Sequence, residues 1–138
     1  MLENAKFHHL GMAVSSVELA TPFYASMGYT ISEPVIEPIQ KVRVAYARKE
    51  GFPTVELLEP TDETSPAAKV IARNGSSPYH VCYEVPDIKA AVAEMRKEGG
   101  FMPLGRPSPG HGLDDALMVF CYNKDVGLIQ IMETKKSE

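Results

Sequence analysis

The chain has 138 residues, of which 44% are hydrophobic and 23% charged, and this fits one ordinary soluble domain able to bury its own core. A formal net charge of −4 and a pI near 5.6 exclude the basic footprint needed to bind a polyphosphate backbone, so nucleic acid is not an expected partner. The first residues lack an apolar h-region and no later run of about 18 apolar residues exists, so no membrane association is expected and the expected location is the cytoplasm.

The first strand is expected over Phe7–Val14. Alternation puts Leu10, Met12 and Val14 on a core-like face, and His9, Gly11 and Ala13 on an open face of small residues. His8 then points away from His9, onto the core-like side. Ser15-Ser16 caps a helix running roughly to Met27, with Pro22 inside it. A competing start has Thr21 as cap and Pro22 at the first helical position, where proline is tolerated. Strands follow over Tyr29–Val35, Lys41–Arg48 and Thr54–Leu58, and in the last of these Val55 and Leu57 alternate with Glu56 and Leu58.

A polar, proline-marked connector runs from Glu59 to Pro66, and Ser65-Pro66 opens a short helix over Ala67–Arg73. Asn74-Gly75-Ser76-Ser77-Pro78 links this helix to a second strand that begins near His80 and runs to Val85. Asp87 caps an amphipathic helix whose buried stripe is Ile88, Ala91, Val92 and Met95. Strands over Phe101–Arg106, Ala116–Cys121 and Gly127–Glu133 complete the chain. Cys82 and Cys121 lie within apolar runs and read as reduced thiols. His111, in a Pro/Gly-rich loop, reads as a solvated side chain.

The two halves repeat one pattern. His80 follows His9 by 71 residues, and a valine stands five residues beyond each, Val14 and Val85. A polar pair and an aliphatic residue come next (Val17, Ile88), then a helix expected to stop at glycine, Gly28 or Gly99. Four landmarks in one register indicate a duplicated unit. The expected fold is α+β, with two tandem βαβββ modules over about 6–59 and 79–134 and a linker over 60–78, all within a single domain, 1–138.

This order resembles the vicinal oxygen chelate superfamily, which contains glyoxalase I, methylmalonyl-CoA epimerase, extradiol dioxygenases and bleomycin resistance proteins. The resemblance is carried by His8-His9-Leu10-Gly11-Met12-Ala13-Val14, Val55-Glu56-Leu57-Leu58-Glu59-Pro60, Ser65-Pro66-Ala67-Ala68-Lys69, the run from Tyr79 to Ile88, and the run from Gly127 to Glu133. It implies a cleft holding one divalent metal ion on His9, Glu56, His80 and Gln130. Two imidazoles, a carboxylate and an amide oxygen suit Zn, Ni, Co, Mn, Fe or Mg equally. It also implies a homodimer and a small-molecule substrate, such as an acyl thioester or a 2-oxoaldehyde adduct. The implied chemistry is carbonyl polarisation for proton transfer by an isomerase or lyase, with Glu56 as the catalytic carboxylate.

Two departures bear on this expectation. Glyoxalase I and the epimerase usually carry a glutamate where this chain has Gln130, and an amide has no titratable proton near neutral pH. Glu133, three residues further along the strand, faces the other way. The epimerase also tends to place a carboxylate in the segment Glu37–Val42, where Pro38 and Ile39 stand at the corresponding positions and Glu37 is displaced. The alternative class is a non-catalytic binding protein of the bleomycin-resistance type, which lost carboxylates would fit. Arg43, Arg48 and Arg106 are candidates for holding a substrate anion.

Overall fold

The computed structural model describes residues 2–135. These divide into two compact units, residues 9–79 and residues 2–8 with 80–135. Each unit lays a helix on a small mixed sheet, the unit 9–79 carrying a second helix besides, and the two repeat one another strand for strand.

In the first unit, β1 (Lys6–Ala13, whose His9–Ala13 portion lies here) runs parallel to β5 (Thr54–Pro60), with Gly11 beside Glu56. Next to β5 lies β4 (Val42–Arg48), antiparallel, with Tyr46 beside Glu56. The outer edge of β4 carries two short strands, β2 (Thr30–Ile31) and β3 (Val35–Glu37). The expected strand over Tyr29–Val35 is therefore two pieces. Pro34 between them has no N–H to give to a ladder, so the pairing breaks there and resumes one residue later.

Helix α1 (Val17–Ser26) starts at the earlier of the two candidate positions. The Ser16 hydroxyl accepts from the Leu19 N–H, and Pro22 lies inside the helix. Its buried side meets Val14, Ala45, Ala47, Val55 and Leu57, with Met12, Tyr24 and Ile31 at the rim. The expected helix of the connector is α2 (Pro66–Asn74), capped by Ser65, whose hydroxyl accepts from the Ala67 N–H.

The second unit repeats this plan. Strand β6 (Ser77–Val85) runs parallel to β10 (Gly127–Glu133), with Cys82 beside Gln130. Antiparallel to β10 is β9 (Ala116–Asn123), with Phe120 beside Gln130. On β9 lie β7 (Met102–Pro103) and β8 (Ser108–Gly110). The expected strand over Phe101–Arg106 is thus cut to Met102–Pro103, and β8 forms in the run expected as a loop, beyond Gly105 at φ +122° and Pro107. Helix α3 (Ile88–Gly99) is capped by Asp87, whose carboxylate accepts from the Ala90 N–H. Ile88, Ala91 and Met95 are buried against Val85, Val119, Cys121 and Ile131, with Val92 partly buried. Gly100, one residue beyond the expected stop, takes the left-handed position that ends the helix.

In both units the helix covers only one face of the sheet. Val55 and Leu57 on β5, and Ile129 and Ile131 on β10, point towards the helix. Glu56 and Gln130 therefore point to the opposite face.

Candidate metal-ligating site

Glu56 is buried on β5, the inner strand of the first unit, with 5% of its surface exposed. Its two oxygens are held differently: Oε2 accepts a hydrogen bond from the Tyr46 hydroxyl at 2.6 Å, and Oε1 lies 3.4 Å from His9 Nε2. His9, on β1, is fully buried, and the Tyr46 ring meets it edge to face at 5.6 Å. These contacts follow from strand register. Glu56 is beside Gly11, two residues from His9 on the same face, and beside Tyr46 on the other flank.

The second unit presents the same positions with different chemistry. Gln130 lies beside Cys82, two residues from His80, and beside Phe120 on its other flank. His80 and Gln130 are buried, and Phe120 meets the His80 ring edge to face at 5.0 Å. Phe120 has no hydroxyl to give, so Gln130 receives nothing like the Tyr46 bond. Among the described residues, Gln130 Oε1 is buried with no hydrogen-bond partner. A stranded amide oxygen costs about 1–3 kcal/mol, and a cation is one group that removes the cost.

The expectation that His9, Gly11 and Ala13 form an open face is corrected: all three are buried, and Leu10 and Met12 are the half-exposed residues. Met12 and Val14 do join the helix-side core, so the division of the strand into two faces holds. The face bearing His9 is enclosed, and polar side chains sunk there need partners or a bound group. His8 is half-buried.

Tyr46 was not apparent from the sequence, and neither was Tyr79. Burial first, and the charge of Glu56 second, push the Tyr79 phenol up, so it keeps its proton through the neutral range. Glu37, at the end of β3 beside Val42, is also buried.

Two of the three candidate arginines have neighbours of their own. Arg43 pairs with Glu18 and lies 3.8 Å from Glu59. Arg48 lies over the Tyr46 ring, 4.8 Å from its centroid. His111 is exposed and lies 3.6 Å from Asp115 Oδ1, which fits its reading as a solvated residue.

Residues 8–118 match the glyoxalase/bleomycin resistance protein/dioxygenase superfamily model. The ethylmalonyl-CoA/methylmalonyl-CoA epimerase of Cereibacter sphaeroides is 33% identical over 122 residues, covering 87% of this chain and 90% of that protein. The human mitochondrial methylmalonyl-CoA epimerase is 34% identical over 95 residues, and the match spans 53% of its length. Among solved structures, a methylmalonyl-CoA epimerase in complex with methylmalonyl-CoA and ammonium superposes with a TM-score of 0.83 at 26% identity, over 99% of both chains. The Streptomyces coelicolor epimerase with 2-nitronate-propionyl-CoA gives 0.82 at 26% identity, over 96% of both. Duplicated helix-on-sheet units, a buried His and Glu or Gln at matched register in each, and a family match across most of the length lead to one assignment: the chain belongs to the glyoxalase/bleomycin resistance protein/dioxygenase superfamily.

Proposed function

We propose that this protein is a metal-dependent epimerase, or a near relative among the isomerases, acting at the carbon next to the carbonyl of an acyl thioester of the methylmalonyl-CoA class. The observation that carries the metal is the buried, unpartnered Oε1 of Gln130, at the register position equivalent to Glu56. The substrate class rests on the relatives, which are named for methylmalonyl-CoA and ethylmalonyl-CoA.

His9, Glu56, His80 and Gln130 are the residues that would hold the ion. His9, Glu56 and His80 are buried and each offers one ligand atom. When bound, a divalent ion supplies a Lewis acid that polarises a thioester carbonyl and favours enolate character.

Among these four residues Glu56 alone has a carboxylate, so proton transfer at the neighbouring carbon falls to it. Oε2 accepts from the Tyr46 hydroxyl and keeps a second lone pair for a proton, while Oε1, on the side of His9, is the oxygen that would meet the ion. Inversion needs a second proton-carrying group, and Glu37 is a further buried carboxylate of the same unit that can serve. Tyr79, protonated and near Glu56, is suited to donating a hydrogen bond rather than to taking a proton.

The test is metal analysis of purified protein beside His9→Ala and His80→Ala, with deuterium incorporation from solvent into methylmalonyl-CoA. About one ion per chain, lost in either variant, together with exchange in the unsubstituted protein, is the expected result. Metal without exchange would move the reading to another substrate class or to a metallated binding protein. Full metal content in either histidine variant would overturn the ligand assignment.

A further inference from the structure

The two units differ at one pair of equivalent positions beside the proposed ligands, Tyr46 and Phe120. Each lies on the strand antiparallel to the ligand-bearing strand, beside Glu56 in one unit and Gln130 in the other. Each ring meets its unit's histidine edge to face, at 5.6 and 5.0 Å. The ring is thus common to both halves, whereas the hydroxyl occurs in the half with the carboxylate. That hydroxyl is spent on Glu56 Oε2 at 2.6 Å, in the short range of phenol–carboxylate hydrogen bonds.

We propose that Tyr46 is the positioning residue of Glu56, and that its hydroxyl makes the first unit the half that performs proton transfer. This rests on the metal-dependent reading above. A carboxylate on β5 could turn either oxygen towards a ligand and could bind an ion through both. With Oε2 tied to Tyr46, the group offers the ion one donor atom, Oε1, on the side of His9, and Oε2 is kept off the ion as the oxygen that takes and returns the proton. Fixing a carboxylate by a hydrogen bond to its far oxygen removes rotational freedom that would otherwise be lost at each turnover. The Tyr46 ring is itself held, packed on His9 on one side and under the Arg48 guanidinium on the other. Among the described residues Gln130 Oε1 has no comparable anchor, as a purely ligating amide needs none.

The experiment compares the full-length protein with Tyr46→Phe and Glu56→Gln, using cobalt(II) alone as the metal probe and deuterium exchange into methylmalonyl-CoA as the kinetic one. Phe120 shows that a phenyl ring is accommodated at this register position, so Tyr46→Phe is expected to fold. It should bind cobalt about tenfold more weakly, with an altered visible absorption band, and lower kcat about tenfold while KM stays within twofold. Unchanged affinity, absorption band and kcat, with cobalt binding impaired in Glu56→Gln, would overturn the role of Tyr46 and leave the metal reading standing. Failure of the unsubstituted protein to bind cobalt would overturn the metal reading itself. A second probe keeps the hydroxyl in place. 3-Fluorotyrosine at position 46 should show a fluorine resonance that moves on zinc addition and does not move in the Glu56→Gln background. A resonance indifferent to zinc in both backgrounds would also overturn the inference.

Discussion

Glu133 accepts a hydrogen bond from the backbone N–H of Ile88 at 3.1 Å and so closes the start of α3 from 45 residues away. Glu59 does the same for α1, accepting from the Val17 N–H at 2.8 Å. Each stands three residues beyond a proposed ligand, Gln130 or Glu56, and so faces the helix instead of the ligand side. A carboxylate at a helix N-terminus satisfies an orphan donor and complements the helix dipole. Glu133→Ala is therefore expected to cost about 1 kcal/mol, lowering Tm by several degrees, with bound metal unchanged. Calorimetry and elemental analysis on the same sample check this. Metal loss in a folded Glu133→Ala protein would show that the carboxylate serves the ligand side after all.

The equivalence of Glu56 and Gln130 makes a second outcome testable. Glu56→Gln leaves the proposed site without a carboxylate and should abolish deuterium exchange. Adding Gln130→Glu puts a carboxylate back at the equivalent register, beside Cys82 and Phe120. The double variant should recover metal and part of the exchange, falling short of the unsubstituted protein because no hydroxyl stands beside position 130. Gln130→Glu by itself should bind metal more tightly, since the site gains a negative charge. A double variant with metal but with no exchange at all would show that the two positions are not interchangeable in chemistry.

Much of this arrangement was legible in the sequence, because the duplication printed the same landmarks twice. The strand runs around His9 and His80, the Ser16, Ser65 and Asp87 caps and the buried stripe of α3 depend on local periodicity and local side-chain bonds, and each stands where it was expected. The Tyr46–Glu56 bond was not legible. It depends on the pairing of β4 with β5, and a shift of one residue would have sent the Tyr46 hydroxyl to the helix side. The burial of Glu37, which the sequence reading set aside as displaced, was hidden for a similar reason: Pro34 splits the edge strand, and counting from one landmark across the break does not say which residues of the second piece face inward. The enclosure of the His9 face was hidden because alternation tells which residues share a face and does not tell whether that face is covered.

Cys121 gives a prediction with a defined pH direction. It is fully buried in the core under α3, and burial pushes its thiol up from the ordinary value. The folded state therefore holds the proton more tightly than the unfolded state does. Its contribution to stability is fully present below the unfolded thiol's pKa and is lost as pH rises through the higher folded value. Alkylation of Cys121 by iodoacetamide at pH 8 should be negligible in the native protein and rapid in denaturant. Rapid native labelling at Cys121, mapped by peptide mass, would show that the α3 core opens readily.

Pro22 sits six residues into α1, past the first turn where proline is harmless. Without an N–H it cannot bond to the Glu18 carbonyl, and its ring presses on that same turn. The helix forms regardless because its N-terminus is held twice, by the Ser16 hydroxyl and by Glu59, and because Val17 is buried in the unit's core. Packing and capping thus outweigh a residue that disfavours the element. Replacing Pro22, which is exposed, by alanine restores the missing bond without disturbing the core. The gain should fall below the roughly 3 kcal/mol of an isolated helix, because proline also restrains the unfolded chain. A stabilisation of about 1 kcal/mol, seen as a rise in Tm of several degrees, is the expected outcome. A fall in Tm would mean that the restraint on the unfolded chain dominates and that α1 is already shaped around the ring.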